Sequence, residues 1–124
     1  MGLVGSEMCI RDRYNIPFIA DEVICGFGRT GNLWGCDTYN IKPDIIISSK
    51  CLTAGYFPMG AVIVNKEFSD KFVEVSEEAE EFPHGFTAGG HPVGCAIALK
   101  AIDVIMNEGL LDNVKLMEPY FLKD

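Results

Sequence analysis

Residues 19–31 read Ile-Ala-Asp-Glu-Val-Ile-Cys-Gly-Phe-Gly-Arg-Thr-Gly and follow an apolar approach, Ile16-Pro17-Phe18. The run from Ile16 to Ala20 is almost continuously apolar, the pattern of a strand covered on both faces. Gly26, Gly28 and Gly31 then spell G-x-G-x-x-G. A dinucleotide fingerprint needs a helix directly after its last glycine, because the pyrophosphate rests on that helix's N-terminus. Here Asn32-Leu33-Trp34-Gly35 follows, and Gly35 with no 3.6-residue period predicts continued loop. Asp21 and Glu22 would also repel a pyrophosphate. The glycines therefore read as a tight loop that needs positive φ or close backbone approach.

Working outward, "DIIISS" (44–49) is a second buried strand, entered through Pro43 and ending in Lys50. "AVIV" (61–64) is a third. In open α/β sheets ligands bind beyond the carboxyl ends of the strands. Asp21 and Lys50 both fall at that edge, an acid and an amine from separate strands. From these residues alone, a salt bridge between them, or each facing solvent, stays open. "NKEFSDKFVE" predicts a short helix capped by Asn65, and the acidic "SEEAEEF" (76–82) a solvated loop or helix end. Pro92 opens a clear helix with Val93, Ile97, Ala101 and Val104 on one face, and Gly109 stops it. Leu110, Val114, Met117 and Phe121 begin another amphipathic helix. Buried strands alternating with loops and helices define an α/β sheet, here an incomplete one.

The 124 residues suffice for one ordinary domain. A net charge of −8 without a basic cluster argues against nucleic acid or an anionic membrane as partner. No apolar run reaches the ~20 residues of a membrane span, and no export signal is recognisable. Five scattered cysteines without C-x-x-C suit free thiols in a reducing cytoplasm. Residues 1–13 lack a clear period, and "VGSEMCIRD" resembles translated sequencing-adapter sequence. They read as a non-native segment, with a polar frayed terminus as the alternative.

Four motifs in order, "IADEVICGFGRTG", "KPDIIISSK", "GYFPMGAV" and "HGFTAGGHPVGCA", resemble the class III aminotransferases, pyridoxal-phosphate enzymes of fold type I. The details are most similar to ω-amino acid or diamine:pyruvate transaminases. The resemblance covers residues 14–124. It implies that residues 14–106 are part of the cofactor-binding large domain and 107–124 the start of a C-terminal small domain. It implies that Lys50 bonds the cofactor's aldehyde, that Asp21 pairs with the pyridine nitrogen, and that Val23 packs on the ring. Thr87, with Phe86 beside it, then contacts the cofactor phosphate of a neighbouring subunit, so the parent would be a homodimer with shared sites. The chemistry explains the types: a carboxylate keeps the ring nitrogen protonated, making it an electron sink, and only an amine can be displaced by the incoming amine. Both groups are expected to be buried.

The chain departs from the family at Cys51, where glycine is usual, and at Ile24, where many members carry glutamine. The upstream phosphate-binding loop and the downstream arginine for the substrate carboxylate are missing, so this chain is expected to be an inactive fragment. Aminomutase-type relatives and a non-catalytic role are the alternatives. A metal site from His84, His91 and Cys95 would lack a fourth ligand, so no metal is expected.

Overall fold

The computed structural model describes residues 5–81 and 84–122; Phe82, in the acidic stretch expected to be a loop or helix end, lies outside them. In chain order the elements are α1 (Gly5–Arg13), β1 (Ile19–Asp21), α2 (Gly35–Thr38), β2 (Ile45–Ser48), β3 (Ala61–Val64), α3 (Lys66–Ala79), α4 (Pro92–Asn107) and α5 (Leu110–Phe121), with a 3-10 turn at Lys50–Leu52. The strands form one sheet in the order β1-β2-β3. β1 and β2 are parallel, with Asp21 opposite Ile47. β3 returns antiparallel, with Ile45 opposite Val64 and Ile47 opposite Val62. The three expected strands and the α/β character are thus present.

Four differences from the sequence reading have local causes. Residues 5–13 are helical, and Arg11 Nη1 lies 2.9 Å from Asp44 Oδ2. A tertiary partner there compensates for the missing periodicity. Secondly, Gly35 begins the one-turn helix α2 where loop was expected; a buried carboxylate on its first amides holds it, as described below. Thirdly, α3 is longer than the short helix expected over 65–74: it runs through most of the acidic stretch, which supplies the helix end that was one of its two readings, and stops with Glu80 in the left-handed region. The Asn65 side chain caps it, accepting the Phe68 amide at 3.0 Å. Lys66–Asp70 and Glu67–Lys71 pairs one turn apart add support.

The fourth concerns α4. Val93 is exposed, while Gly94 and Ala98 are buried and Ile102 and Ile105 pack on the core. The inward face is therefore rotated by one residue from the Val93-Ile97-Ala101-Val104 stripe. Gly94 and Ala98 allow close approach in the first half of that face, and Ile102 and Ile105 fill the space further along.

The opposing surface is made by the glycine loop together with the segment after Lys50, whose Phe57 and Met59 face Gly94. Phe27, Leu52 and Ala98 form the buried centre, flanked by Leu33, Trp34, Met59 and the two α4 isoleucines. The Phe27 and Trp34 rings meet at 4.8 Å between centroids. Burying a phenylalanine of this kind contributes about 1.5–3 kcal/mol. Gly28 takes φ +102°, and a Cβ there would stand 3.0 Å from Leu111 Cδ2 of α5. A Cβ on Gly26 would lie 2.7 Å from the Glu22 carbonyl oxygen. The glycines serve positive φ and close approach, as expected.

Candidate functional site

The core lies on one side of the sheet. On the other, β2, β3 and α3 border an open groove of about 1240 Å³, walled by Ile45, Ile47, Val62, Val64, Phe72 and Val73. Cross-strand pairing puts Ile45 with Val64 and Ile47 with Val62 on this face. Asp21, opposite Ile47, shares it. Because side chains alternate along a strand, Ala20 and Glu22 take the core side, where both are buried.

Asp21 therefore ends β1 facing the groove side, its Oδ1 accepting the Val23 amide at 3.1 Å. Val23 and Phe86 both line the groove. Lys50 leaves β2 at the same carboxyl edge. It sits at φ +45°, a left-handed conformation that costs a non-glycine residue about 1 kcal/mol or more and persists only when its surroundings enforce it. They do so through hydroxyls: Ser49 Oγ donates to the Met59 carbonyl at 2.9 Å, and Thr53 Oγ1 to the Phe57 carbonyl at 2.6 Å. The Thr53 amide closes back on the Lys50 carbonyl at 3.3 Å.

Asp21 and Lys50 are both exposed, against the expectation that they would be buried. The described residues cover the core side of the sheet and leave this edge to solvent. Thr87 is exposed in the turn at residues 87–90. The edge thus gathers Asp21, Val23 and Lys50, with Phe86 across the groove, and leaves Thr87 on an outward turn. Among the described residues no cluster of three His, Cys, Asp or Glu side chains could hold a metal ion. His91 Nδ1 instead accepts the Val93 amide at 3.2 Å and caps α4. His84 stacks edge-on to Phe86 at 5.2 Å.

Residue-type reasoning passed over Glu22. It is 4% exposed, and its carboxylate accepts the Gly35 amide at 2.9 Å and the Cys36 amide at 2.6 Å. The first amides of α2 are thus taken by a protein carboxylate. The alternation of β1 was the available signal: if Asp21 faces out, the next acid faces in and needs donors. Burial, reinforced by this carboxylate, pushes the Cys36 thiol up to about 12. Of the departures, Cys51 packs against the core and Ile24 is exposed.

A mixed three-stranded sheet flanked by helices, with an acid and a lysine at one strand edge, makes this an α/β protein. The family model described as "Aminotransferase class-III" matches residues 6–124, and the chain belongs to that family. It is 47% identical over 112 residues to gamma aminobutyrate transaminase 3, chloroplastic, of Solanum lycopersicum, covering 90% of this chain and 22% of that one. Among solved structures, an omega-aminotransferase from Paracoccus denitrificans superposes with a TM-score of 0.90 at 63% identity, covering 94% of this chain and 26% of that one. A PLP-bound aminotransferase mutant from Vibrio fluvialis gives 0.90 at 64% identity, over 94% and 26%. The chain spans about a quarter of the length of these relatives. No helix among the described residues is long and apolar enough to cross a membrane.

Proposed function

We propose that the full-length protein carrying this chain is a pyridoxal-phosphate-dependent transaminase that moves an amino group from an ω-amino acid, diamine or other amine to a 2-oxo acid such as pyruvate. Family membership supports the reaction class. The names of the relatives, gamma aminobutyrate transaminase and omega-aminotransferase, support the donor class.

The observation that carries the reading is the placement of Asp21 at the end of β1 and of Lys50 just past the end of β2, at the same edge of two neighbouring parallel strands. The donor set fits the cofactor: a carboxylate for a ring nitrogen, an amine for an aldehyde, and Val23 as an apolar wall on the same edge. When bound, pyridoxal phosphate supplies an electron sink that makes the carbon bearing the substrate's amino group acidic. Asp21 would hold the proton on the ring nitrogen. Val23 would fix the ring plane. Lys50 would anchor the aldehyde carbon and, once released, carry a proton between the substrate carbon that bears the amino group and that former aldehyde carbon, which lies on the other side of the nitrogen. Thr87, exposed beyond the groove, would serve the cofactor phosphate of a second subunit, which makes the working protein a homodimer.

The test uses the full-length protein loaded with pyridoxal phosphate. Amine-to-pyruvate transfer is expected. Lys50→Ala should abolish both the visible absorbance of the bound cofactor and turnover. Asp21→Asn keeps the shape and loses the charge. The ring nitrogen's affinity for its proton must change by several pKa units, at about 1.4 kcal/mol each, so cofactor stays while turnover falls by orders of magnitude. A Lys50→Ala protein that retains absorbance and turnover would refute the assignment.

A further inference from the structure

Glu22 has no part in the chemistry above, yet it is the most firmly tied residue at this edge. Burying a carboxylate is costly unless donors meet it, and here both oxygens are met, by Gly35 and Cys36. The main chain is tied as well. The Glu22 amide donates to the Ile47 carbonyl at 2.8 Å, and its carbonyl accepts the Gly26 amide at 2.8 Å. Space is shaped to the carboxylate: a Cβ on Gly35 would stand 2.9 Å from Glu22 Oε2. Asp21, by contrast, is exposed and has a local bond from the Val23 amide at 3.1 Å.

We propose that Glu22 is a positioning residue for the cofactor: its four-point anchorage to β2, the glycine loop and α2 sets the direction in which Asp21 and Val23 face the ring. The inference rests on the transaminase reading. With Glu22 drawn to the core side, alternation turns both neighbours to the groove side. Without the anchorage, residues 21–23 can rotate about the strand end. Asp21 then samples directions that miss the ring nitrogen, and cofactor affinity falls.

Glu22→Gln in the full-length protein keeps the shape but turns one acceptor into a donor facing an amide. The apoprotein is titrated with pyridoxal phosphate and its affinity compared with wild type. The expected result is about tenfold weaker binding, within the usual range of coupling between linked groups. A second measurement needs no variant. Coupling is reciprocal, so adding pyridoxal phosphate to the wild type must slow hydrogen exchange at the Gly35 and Cys36 amides more than at amides of α3. If the variant does not fold, this measurement decides. A merely structural Glu22 would lower the melting temperature and leave affinity alone. Wild-type affinity in a folded Glu22→Gln protein, or exchange at Gly35 and Cys36 indifferent to the cofactor, overturns the inference alone. A wild-type apoprotein that takes up no pyridoxal phosphate overturns the transaminase reading and this inference with it.

Discussion

A Cβ added to Gly94 would stand 2.8 Å from two ring carbons of Phe57, so α4 reaches the loop after Lys50 at backbone distance. The same loop is tied to Thr53 through the Phe57 carbonyl. Packing of α4 and the backbone behind Lys50 are therefore one structural problem.

Gly94→Ala tests that link. Alanine in a helix interior gains about 1 kcal/mol over glycine. Forcing a methyl into a filled space costs about 1–3 kcal/mol. The expected net is a destabilisation of about 1 kcal/mol, read from denaturant unfolding. Adding Phe57→Leu should recover part of it, since the two positions touch. A more stable Gly94→Ala protein would show that the ring yields freely.

Cys36 carries a pH signature. Its thiol is raised in the folded protein from an ordinary 9.0 to about 12 by burial, then by Glu22. The unfolded chain loses this proton first as pH rises. The stabilisation is therefore complete below pH 9 and disappears as pH climbs toward about 12. The wild-type unfolding midpoint should drop more steeply over that window than that of Cys36→Ser. At about pH 8 alkylating reagents should label the exposed Cys9 and Cys25 well before Cys36. Rapid labelling of Cys36 in folded protein would contradict the buried contact.

Asp44 is the tie among the strand ends. Its carboxylate accepts the Phe18 amide at 2.8 Å, Asn65 Nδ2 at 3.0 Å and Arg11 Nη1 at 2.9 Å. Asp44→Ala leaves a backbone donor and a capping side chain without their acceptor and should cost about 2–3 kcal/mol. Arg11→Ala removes one partly exposed ion pair and should cost less than about 1 kcal/mol. Equal losses in denaturant unfolding would mean that the contact with α1 dominates.

The three strands and the helices α3, α4 and α5 were legible because their cues are local: continuous apolar runs, the Asn65 cap, Pro92 and Gly109. The shared strand edge of Asp21 and Lys50 was legible from a strand-end argument. Glu22 was not, since its partners Gly35 and Cys36 lie far along the chain in a helix of one turn that has no period to read. The face of α4 was misplaced for a related reason. Hydrophobic size marks a buried stripe only when the opposing surface leaves room, and Phe57 and Met59 leave room at Gly94 for hydrogen alone.

The groove side of the sheet supports the last prediction. Val62, Phe72 and Val73 are exposed there, on the face that also carries Asp21. Contiguous apolar surface of this kind binds other surfaces or aggregates. β1 and β3 end the sheet order, and unpaired strand edges add the same hazard. The buried core is small, so little stabilisation remains over chain entropy. The 124-residue polypeptide alone is therefore expected to bind an apolar dye strongly, to self-associate, and to show neither stable cofactor absorbance nor transamination. The full-length protein should sediment as a dimer, bind the dye weakly and turn over. Expressing both and comparing dye fluorescence, sedimentation and amine-to-pyruvate transfer gives the answer. If the short chain stays monodisperse, excludes the dye and transaminates, the groove is not a face awaiting cover, and Asp21, Val23 and Lys50 need no further residues to work.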